Sequence, residues 1–263
     1  SHEVAPIWRE YERGSTAIAD SYVKPIMTAY IEEAFDAFRD GGVSAPWSLM
    51  KSNGGKTPAD AAEAEPIKFL LSGLAGGIIA GHYFGQLAGA SNLVTLDMGG
   101  TSCDVGLVRD GKISHSNNFE IEWGLPVATP TIDLTTIGAG GGSIAWVDKG
   151  GLLRVGPQSA GASPGPVCYD TGGENVTVTD ANLVLGRLNA KYFLGGKIQL
   201  NMPKAEWKLD ELGERFSMGR FEIAQAVLDI ANENMANAIR VLSIDRGLDP
   251  REYALVAFGG AGP

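Results

Sequence analysis

The stretch NLVTLDMGGTSCDVGLVRD, residues Asn92 to Asp110, decides how the rest of the chain is read. Asn92 to Leu96 is a short apolar run suited to a buried strand. It breaks at Asp97-Met98-Gly99-Gly100-Thr101, and the chain resumes as Val105-Gly106-Leu107-Val108. The order is strand, tight turn, strand. Two adjacent glycines let the backbone approach a ligand closely and aim its N–H groups at an anion, while Thr101 and Ser102 add hydroxyls suited to phosphate oxygens. Asp97 and Asp104 bring the carboxylate charge that a hard cation such as magnesium takes in its first or second shell. An ordinary hairpin turn has the same outline, so the remainder of the chain has to decide between the two.

Working outward, Arg109-Asp110-Gly111 is a hairpin signal leading to a third strand over Lys112 to His115. Upstream, Phe69 to Ala90 carries no charge and has glycine at 73, 77, 81, 85 and 89, a four-residue spacing that places all five on one helical stripe. A membrane helix with a close-packing face has this look. His82, Tyr83 and Gln86 interrupt the apolar surface and no basic flank follows, so the expectation is a non-membrane helix lying very near a sheet, with Ser72-Gly73 at its N-terminus. Residues 6 to 40 read as helical, with Ser15 as N-cap and Pro25 dividing or kinking the stretch. Its second part places Met27, Tyr30, Ile31, Ala34, Phe35 and Phe38 on one core-facing side. Trp47 to Lys51 reads as a short strand running into the turn Ser52-Asn53-Gly54-Gly55.

Downstream, TIDLTTIGAGGGS (Thr131 to Ser143) gives a second glycine-rich bend after a β-branched stretch. Asp133 is a candidate metal ligand or base, with a plain capping role as the alternative. Ile144 to Val147 and Leu152 to Val155 read as a hairpin, and Gly156 to Gly173 as a long loop around Cys168. Val176 to Thr179 reads as a strand, with Asp180 capping a helix over Ala181 to Leu188. Residues 191 to 220 suggest surface loops and a short helix. Phe221 to Arg246 is a strongly periodic helix, and Tyr253 to Phe258 a buried strand that ends on a third bend, Gly259-Gly260-Ala261-Gly262-Pro263. Such a bend normally feeds a following helix, so the chain is expected to be a segment of a longer polypeptide.

The totals exclude some partners. With 31 acidic against 21 basic residues the net charge is -10, and no basic run exceeds a pair, so a nucleic acid is not expected. Backbone amides and a metal ion still hold a small phosphate ligand without a basic surface. The 36 glycines in 263 residues are about twice the usual share of roughly 7%. Only Cys103 and Cys168 are present, and a reduced, cytoplasmic setting is expected. His2, His82 and His115 lack zinc-ligand spacing, and Cys168 is a candidate nucleophile only if a base reaches it in space.

Together, Asp97-Met98-Gly99-Gly100-Thr101-Ser102, Ile137-Gly138-Ala139-Gly140-Gly141-Gly142-Ser143, Pro166-Val167-Cys168-Tyr169, Thr177 to Leu183 and Phe258 to Pro263 resemble the central, hydantoinase A domain of the hydantoinase/oxoprolinase family. Glu12-Arg13 and Ser52 to Gly55 extend the likeness over nearly the whole chain. The resemblance implies an α/β fold of the actin-like ATPase (ribonuclease H-like) type, a mixed sheet with flanking helices. It also implies ATP-dependent hydrolysis of a cyclic amide of the hydantoin or 5-oxoproline type, with a companion B-type subunit or domain. By that likeness ATP and Mg2+ are the cofactors, with Asp97 and Asp104 at the metal and Asp97 and Asp133 the catalytic carboxylates. Gly99, Gly100, Thr101, Ser102, Gly140, Gly141, Gly142 and Ser143 would meet the phosphates, and Gly259, Gly260 and Gly262 the nucleoside end. Cys103 stands where the family more often has Thr, and Leu74 where Pro is frequent. Family members also carry a first Asp-x-Gly-Gly-Thr motif in an N-terminal domain, which residues 1–263 lack. An acetone-carboxylase-type enzyme, a non-catalytic nucleotide-binding assembly module and a sugar or acid kinase are the alternatives.

Overall fold

The computed structural model describes residues 1–117, 119–121 and 124–262, so Pro263 of the last glycine motif lies outside the described residues. In chain order the elements begin with α1 (Glu10–Asp40), β1 (Ser48–Met50), β2 (Lys56–Pro58), α2 (Ala59–Ala62), α3 (Ser72–Leu87), β3 (Leu93–Met98) and β4 (Cys103–Arg109). Short strands follow, β5 (Lys112–Ile113), β6 (His115–Ser116), β7 (Phe119–Glu120), β8 (Pro126–Val127) and β9 (Thr131–Ile132). The rest is β10 (Leu134–Ile137), β11 (Ser143–Val147), β12 (Leu153–Ser159), α4 (Val178–Val184), α5 (Met202–Glu214), α6 (Arg220–Leu242) and β13 (Ala254–Phe258). The chain divides into two compact units, Ser1–Leu93 with Leu107–Asp133, and Val94–Gly106 with Leu134–Pro263.

In the first unit, α1 is one continuous helix of 31 residues that passes through Pro25, and Ser15 is buried inside it instead of capping it. Tertiary contacts anchor the part before Pro25: the buried Asp20 carboxylate accepts the Ile67 N–H at 3.0 Å, and Thr16 Oγ1 accepts the Ala128 N–H at 2.9 Å. Its second half is less of a core helix than its pattern predicts. Ile31 is buried with Ala59, Ala62 and Phe69, and Met27 packs against them, but Tyr30, Phe35 and Phe38 are exposed. β1 and β2 form the hairpin around Ser52 to Gly55. The uncharged glycine stretch is α3 as expected, and among the described residues no helix is long and apolar enough to cross a membrane. Its glycine stripe meets a strand at Gly85, where a methyl group would run into the Leu93 side chain, whereas Gly73 has open space around it.

In the second unit the sheet order is β10-β4-β3-β13. Four residues link β3 to β4, too few for anything but a hairpin. β10 runs antiparallel to β4 with Leu134 opposite Gly106 and Ile137 opposite Cys103. The expected hairpin to Lys112 is present as the two-residue β5 beside Val108 and Arg109 in the first unit, while β10 takes the longer pairing along β4 opposite β3. The β-branched residues on either side of Asp133 make the better strand former. β11 and β12 form the expected hairpin, and α6 packs on β10 and β12.

Two expectations in this unit are corrected. Residues 191 to 220 contain the full helix α5, whose buried Ala205, Leu209 and Leu212 pack toward α4 and α6. β13 is an edge strand whose Ala254, Leu255 and Ala257 are exposed, because an apolar run reports strand character without saying how many neighbours the strand has. The architecture is α/β, a mixed sheet with flanking helices.

Candidate functional site

All three glycine bends belong to the second unit and touch one another. A methyl group on Gly140 would lie 2.6 Å from the Gly100 carbonyl carbon and from the Thr101 nitrogen, so only glycine lets the first two bends meet backbone to backbone. The third bend closes on the end of β3. Ala261 donates its N–H to the Met98 carbonyl at 2.8 Å, and Gly259, at φ 94°, sits so close to Met98 and the Asp97 carboxylate that any side chain would collide with both.

The backbone donors are divided unequally between the bends. In the second bend the N–H groups of Gly140 to Ser143 are already used: Gly140 donates to Ser143 Oγ at 2.8 Å, Gly141 to Gly99 O at 3.0 Å, Gly142 to Gly100 O at 2.6 Å and Ser143 to Gly140 O at 3.0 Å. In the first bend Gly99 donates to Ser102 O, but the N–H groups of Gly100, Thr101 and Ser102 have no acceptor among the described residues, and neither does that of Gly260. Gly100, Thr101 and Gly260 are exposed and Ser102 is half-buried, so these N–H groups open to solvent and are available to an anion. Ser159, not singled out in the sequence, brings its hydroxyl to 3.5 Å from both Gly100 O and Thr101 Oγ1.

The carboxylates differ. Asp104 is buried; its Oδ1 accepts a 2.6 Å hydrogen bond from Thr136 and its Oδ2 a 3.5 Å bond from Ser102. Burial raises its pKa above the usual carboxylate range, the two hydroxyls oppose that rise, and the negative charge of Asp97 adds to it. Asp97 accepts no hydrogen bond among the described residues, which leaves both its oxygens available to a cation. Among the described residues no group of three or more His, Cys, Asp and Glu converges as a self-sufficient metal site. Magnesium bound through one or two carboxylates plus phosphate oxygens does not require one. Asp133 lies at the end of the first unit, where its N–H donates to Ser114 O.

The bends border a cleft of about 450 Å³ within the second unit. Met98, Gly100, Gly141, Gly142 and Gly260 to Gly262 form part of its wall, while Asp97, Thr101 and Ser102 do not line it. Arg187 is the one charged residue in that lining. A polyanion here therefore depends on backbone N–H groups and a cation, not on a basic wall.

Cys168 and Asp180 are structural. Cys168 is fully buried, and burial together with the neighbouring Asp180 pushes its thiol pKa up, the opposite of what an activated nucleophile needs. Cys103 is likewise buried, and its thiol is pushed up to about 12. α4 begins three residues earlier than its sequence suggests. Thr177 is the N-cap, and Asp180 is the third helical residue of a capping box. The Asp180 carboxylate also accepts the N–H groups of Val167, at 3.2 Å, and Cys168, at 2.8 Å, so one buried side chain starts the helix and pins the long loop.

The model of the Hydantoinase/oxoprolinase family matches residues 13–263. Caprolactamase subunit alpha of Pseudomonas jessenii is 41% identical over 261 residues, covering 99% of this chain and 37% of the relative. The 5-oxoprolinase of Saccharomyces cerevisiae is 35% identical over 278 residues, covering 100% of this chain and 21% of the relative. Among solved structures, that of the ATP-dependent caprolactamase from Pseudomonas jessenii superposes with TM-score 0.78 at 40% identity, covering 99% of this chain and 37% of that one. The nucleotide-free structure of acetone carboxylase, from work on ATP-dependent acetone carboxylation, gives TM-score 0.84 at 26% identity, covering 97% of this chain and 36% of that one. The chain thus spans about two fifths or less of the length of these relatives. With the expected fold, the expected order of motifs and a family match over nearly its whole length, the chain belongs to the hydantoinase/oxoprolinase family.

Proposed function

We propose that residues 1–263 are the hydantoinase A domain of a longer polypeptide, and that this domain handles the ATP of a reaction opening a cyclic amide of the hydantoin or 5-oxoproline type. One observation carries the reading: the free N–H groups of Gly100, Thr101 and Ser102 in a bend held rigid by its two glycine neighbours. Preorganised donors of this kind stabilise the charge that develops on a transferring phosphoryl group without reorganising at the moment of reaction. In this reading the first bend and Gly260 hold phosphate oxygens. Gly140 to Ser143 shape the same surface from behind, and Gly259 and Gly262 set the third bend against β3. Asp97, with its unpaired oxygens, would hold Mg2+ directly, and Asp104, occupied by two hydroxyls, would support it from the second shell. The ion would supply charge neutralisation between phosphate oxygens and a carboxylate-lined turn. Asp133 remains the candidate base toward the amide.

The resemblance to caprolactamase subunit alpha favours a companion subunit and a small cyclic amide as substrate. The likeness to acetone carboxylase supports a second reading, ATP-driven carboxylation of a ketone. The test is ATP hydrolysis by the full chain with its companion, with and without hydantoin, 5-oxoproline, caprolactam, or acetone plus bicarbonate. Hydrolysis stimulated by a cyclic amide, with release of the ring-opened product, is expected. Stimulation only by ketone and bicarbonate would select the second reading, and hydrolysis indifferent to all of them would point to an assembly module.

A further inference from the structure

The first unit holds a cavity of its own, of about 750 Å³, that none of the glycine bends borders. We propose that it binds a small amino carboxylate, with Lys51 and Thr129 at the carboxylate end and Glu3 at the ammonium end. Opening a lactam releases a molecule of this class. Water adds its hydroxyl to the acyl carbon, the C–N bond breaks, the nitrogen takes the remaining proton, and the new carboxyl then protonates the amine. The identity of the ligand, though not the existence of the site, rests on the function proposed above.

Three segments wall the cavity. The first leads into α1 and brings Glu3, Pro6 and Ile7 to the lining; Arg13 holds it by donating from Nη1 to Ile7 O at 3.1 Å. The second is the turn between β1 and β2, which brings Lys51. Ser52 is fully buried and locks that turn. Its N–H donates to Lys68 O at 2.7 Å, its Oγ accepts the Leu71 N–H at 3.0 Å, and its carbonyl accepts the Ile132 N–H at 2.8 Å. The third segment precedes β9 and brings Thr129, and the bond from the Ala128 N–H to Thr16 ties it to α1. The walls therefore hold their shape without an occupant, as a preformed ligand site requires.

The charges select the ligand. The lining carries three cations and three carboxylates, of which Arg9 is paired with Glu12 at 3.0 Å and Lys68 with Glu65. Lys51 and Glu3 are left over, and neither has an ion pair or a side-chain hydrogen bond among the described residues. One free positive and one free negative group suit a zwitterion. A phosphate ester would need more free cations, and a hydrocarbon would need neither charge. Thr129 adds a polar group without a partner: it is 3% exposed, it lines the cavity, and its Oγ1 has no hydrogen bond. Buried hydroxyls are almost always paired, so this one marks a position where a ligand oxygen is missing. The exposed Asn117 carboxamide, also in the lining, is likewise unpaired among the described residues. Pro6, Ile7 and Pro130 supply the apolar surface that the methylenes between two charged ends would cover.

The experiment is equilibrium binding, without nucleotide, of 6-aminohexanoate, hexanoate and hexylamine to the full chain and to the variants Lys51→Met, Lys51→Arg, Glu3→Gln and Thr129→Val. The amino carboxylate is expected to bind about threefold or more tightly than either singly charged probe. Lys51→Met should weaken it by about tenfold and Lys51→Arg by no more than about threefold, while Glu3→Gln should erase its advantage over hexanoate. Thr129→Val should weaken both carboxylates by about threefold. This variant keeps the side chain's shape and removes only an unpaired hydroxyl, so it holds the test open where Lys51→Met folds poorly. Equal binding of the three probes, or affinity unchanged in both Lys51→Met and Thr129→Val, would overturn the site. Variant-sensitive binding in a protein whose ATP hydrolysis ignores every cyclic amide would keep the site and remove the function proposed above. Hydrolysis stimulated by a cyclic amide in a protein that binds no amino carboxylate would do the reverse.

Discussion

The first and second glycine bends look alike in sequence, Gly99-Gly100-Thr101-Ser102 and Gly140-Gly141-Gly142-Ser143, yet they spend their backbone donors in opposite ways. The second gives all four N–H groups to protein acceptors, two of them carbonyls of the first bend. The first keeps three unspent. Glycine also serves a different purpose in each. At Gly140 it is a packing requirement, since a Cβ has no room against the Gly100 backbone, whereas a Cβ on Gly100 would meet nothing within 4 Å. One bend is a brace and the other, in the proposed reading, the ligand surface, and only contacts distinguish them.

The sharpest way to break this contrast is to add the same methyl group to each bend. Gly140→Ala is expected to cost about 3 kcal/mol of stability or more, because backbone rather than a flexible side chain blocks the methyl. A denaturation midpoint unchanged from wild type would mean that the bends are not in contact. Gly100→Ala should melt within about 1 kcal/mol of wild type but bind magnesium-ATP about tenfold more weakly, since the methyl stands in the path of the anion. Isothermal titration beside a thermal melt separates the two outcomes.

A smaller effect is expected from Thr179→Val, which removes the hydroxyl bond to Gly141 O and should lower stability by about 1 kcal/mol without touching the first bend's donors. The smallest concerns Asp104. Its folded pKa is raised, so the native state holds this proton more firmly than the unfolded chain does. The resulting contribution is complete below the ordinary carboxylate range and is lost as pH rises through the raised value. The stability of the wild type relative to Asp104→Asn should therefore decline with rising pH across that interval, as followed by urea melts. A difference independent of pH would show that the carboxyl is not perturbed.

Much of this was legible in the sequence because the signals are local. The strand–turn–strand about Asp97 to Thr101, the glycine-striped α3 and the periodic α6 each declare themselves within a few turns of chain. What was not legible depends on partners distant in sequence. Nothing near Leu134 says that it will pair with Gly106 of β4, and nothing in Ala254 to Phe258 says that its strand has a free edge. Pro25 reads as a helix breaker until α1 is seen anchored on both sides of it, by Asp20 and Thr16 to Ile67 and Ala128 before it and by Ile31 packed with Ala59, Ala62 and Phe69 after it. At the site, the glycines and Asp97 stood out by composition, whereas Phe193 and Asn232, which line the same cleft, belong to no motif read from the sequence. An amide left without a partner is visible only after all the other hydrogen bonds are drawn.

The most direct measurement is backbone amide hydrogen exchange, resolved by residue, on the full chain with and without magnesium-ATP. The N–H groups of Gly141 and Gly142, already bonded to Gly99 and Gly100, should be protected before any nucleotide is added, while those of Gly100, Thr101 and Ser102 should exchange freely and become protected on binding. If Gly141 and Gly142 exchanged freely and gained protection with nucleotide while the first bend stayed unchanged, the roles assigned to the two bends would be reversed.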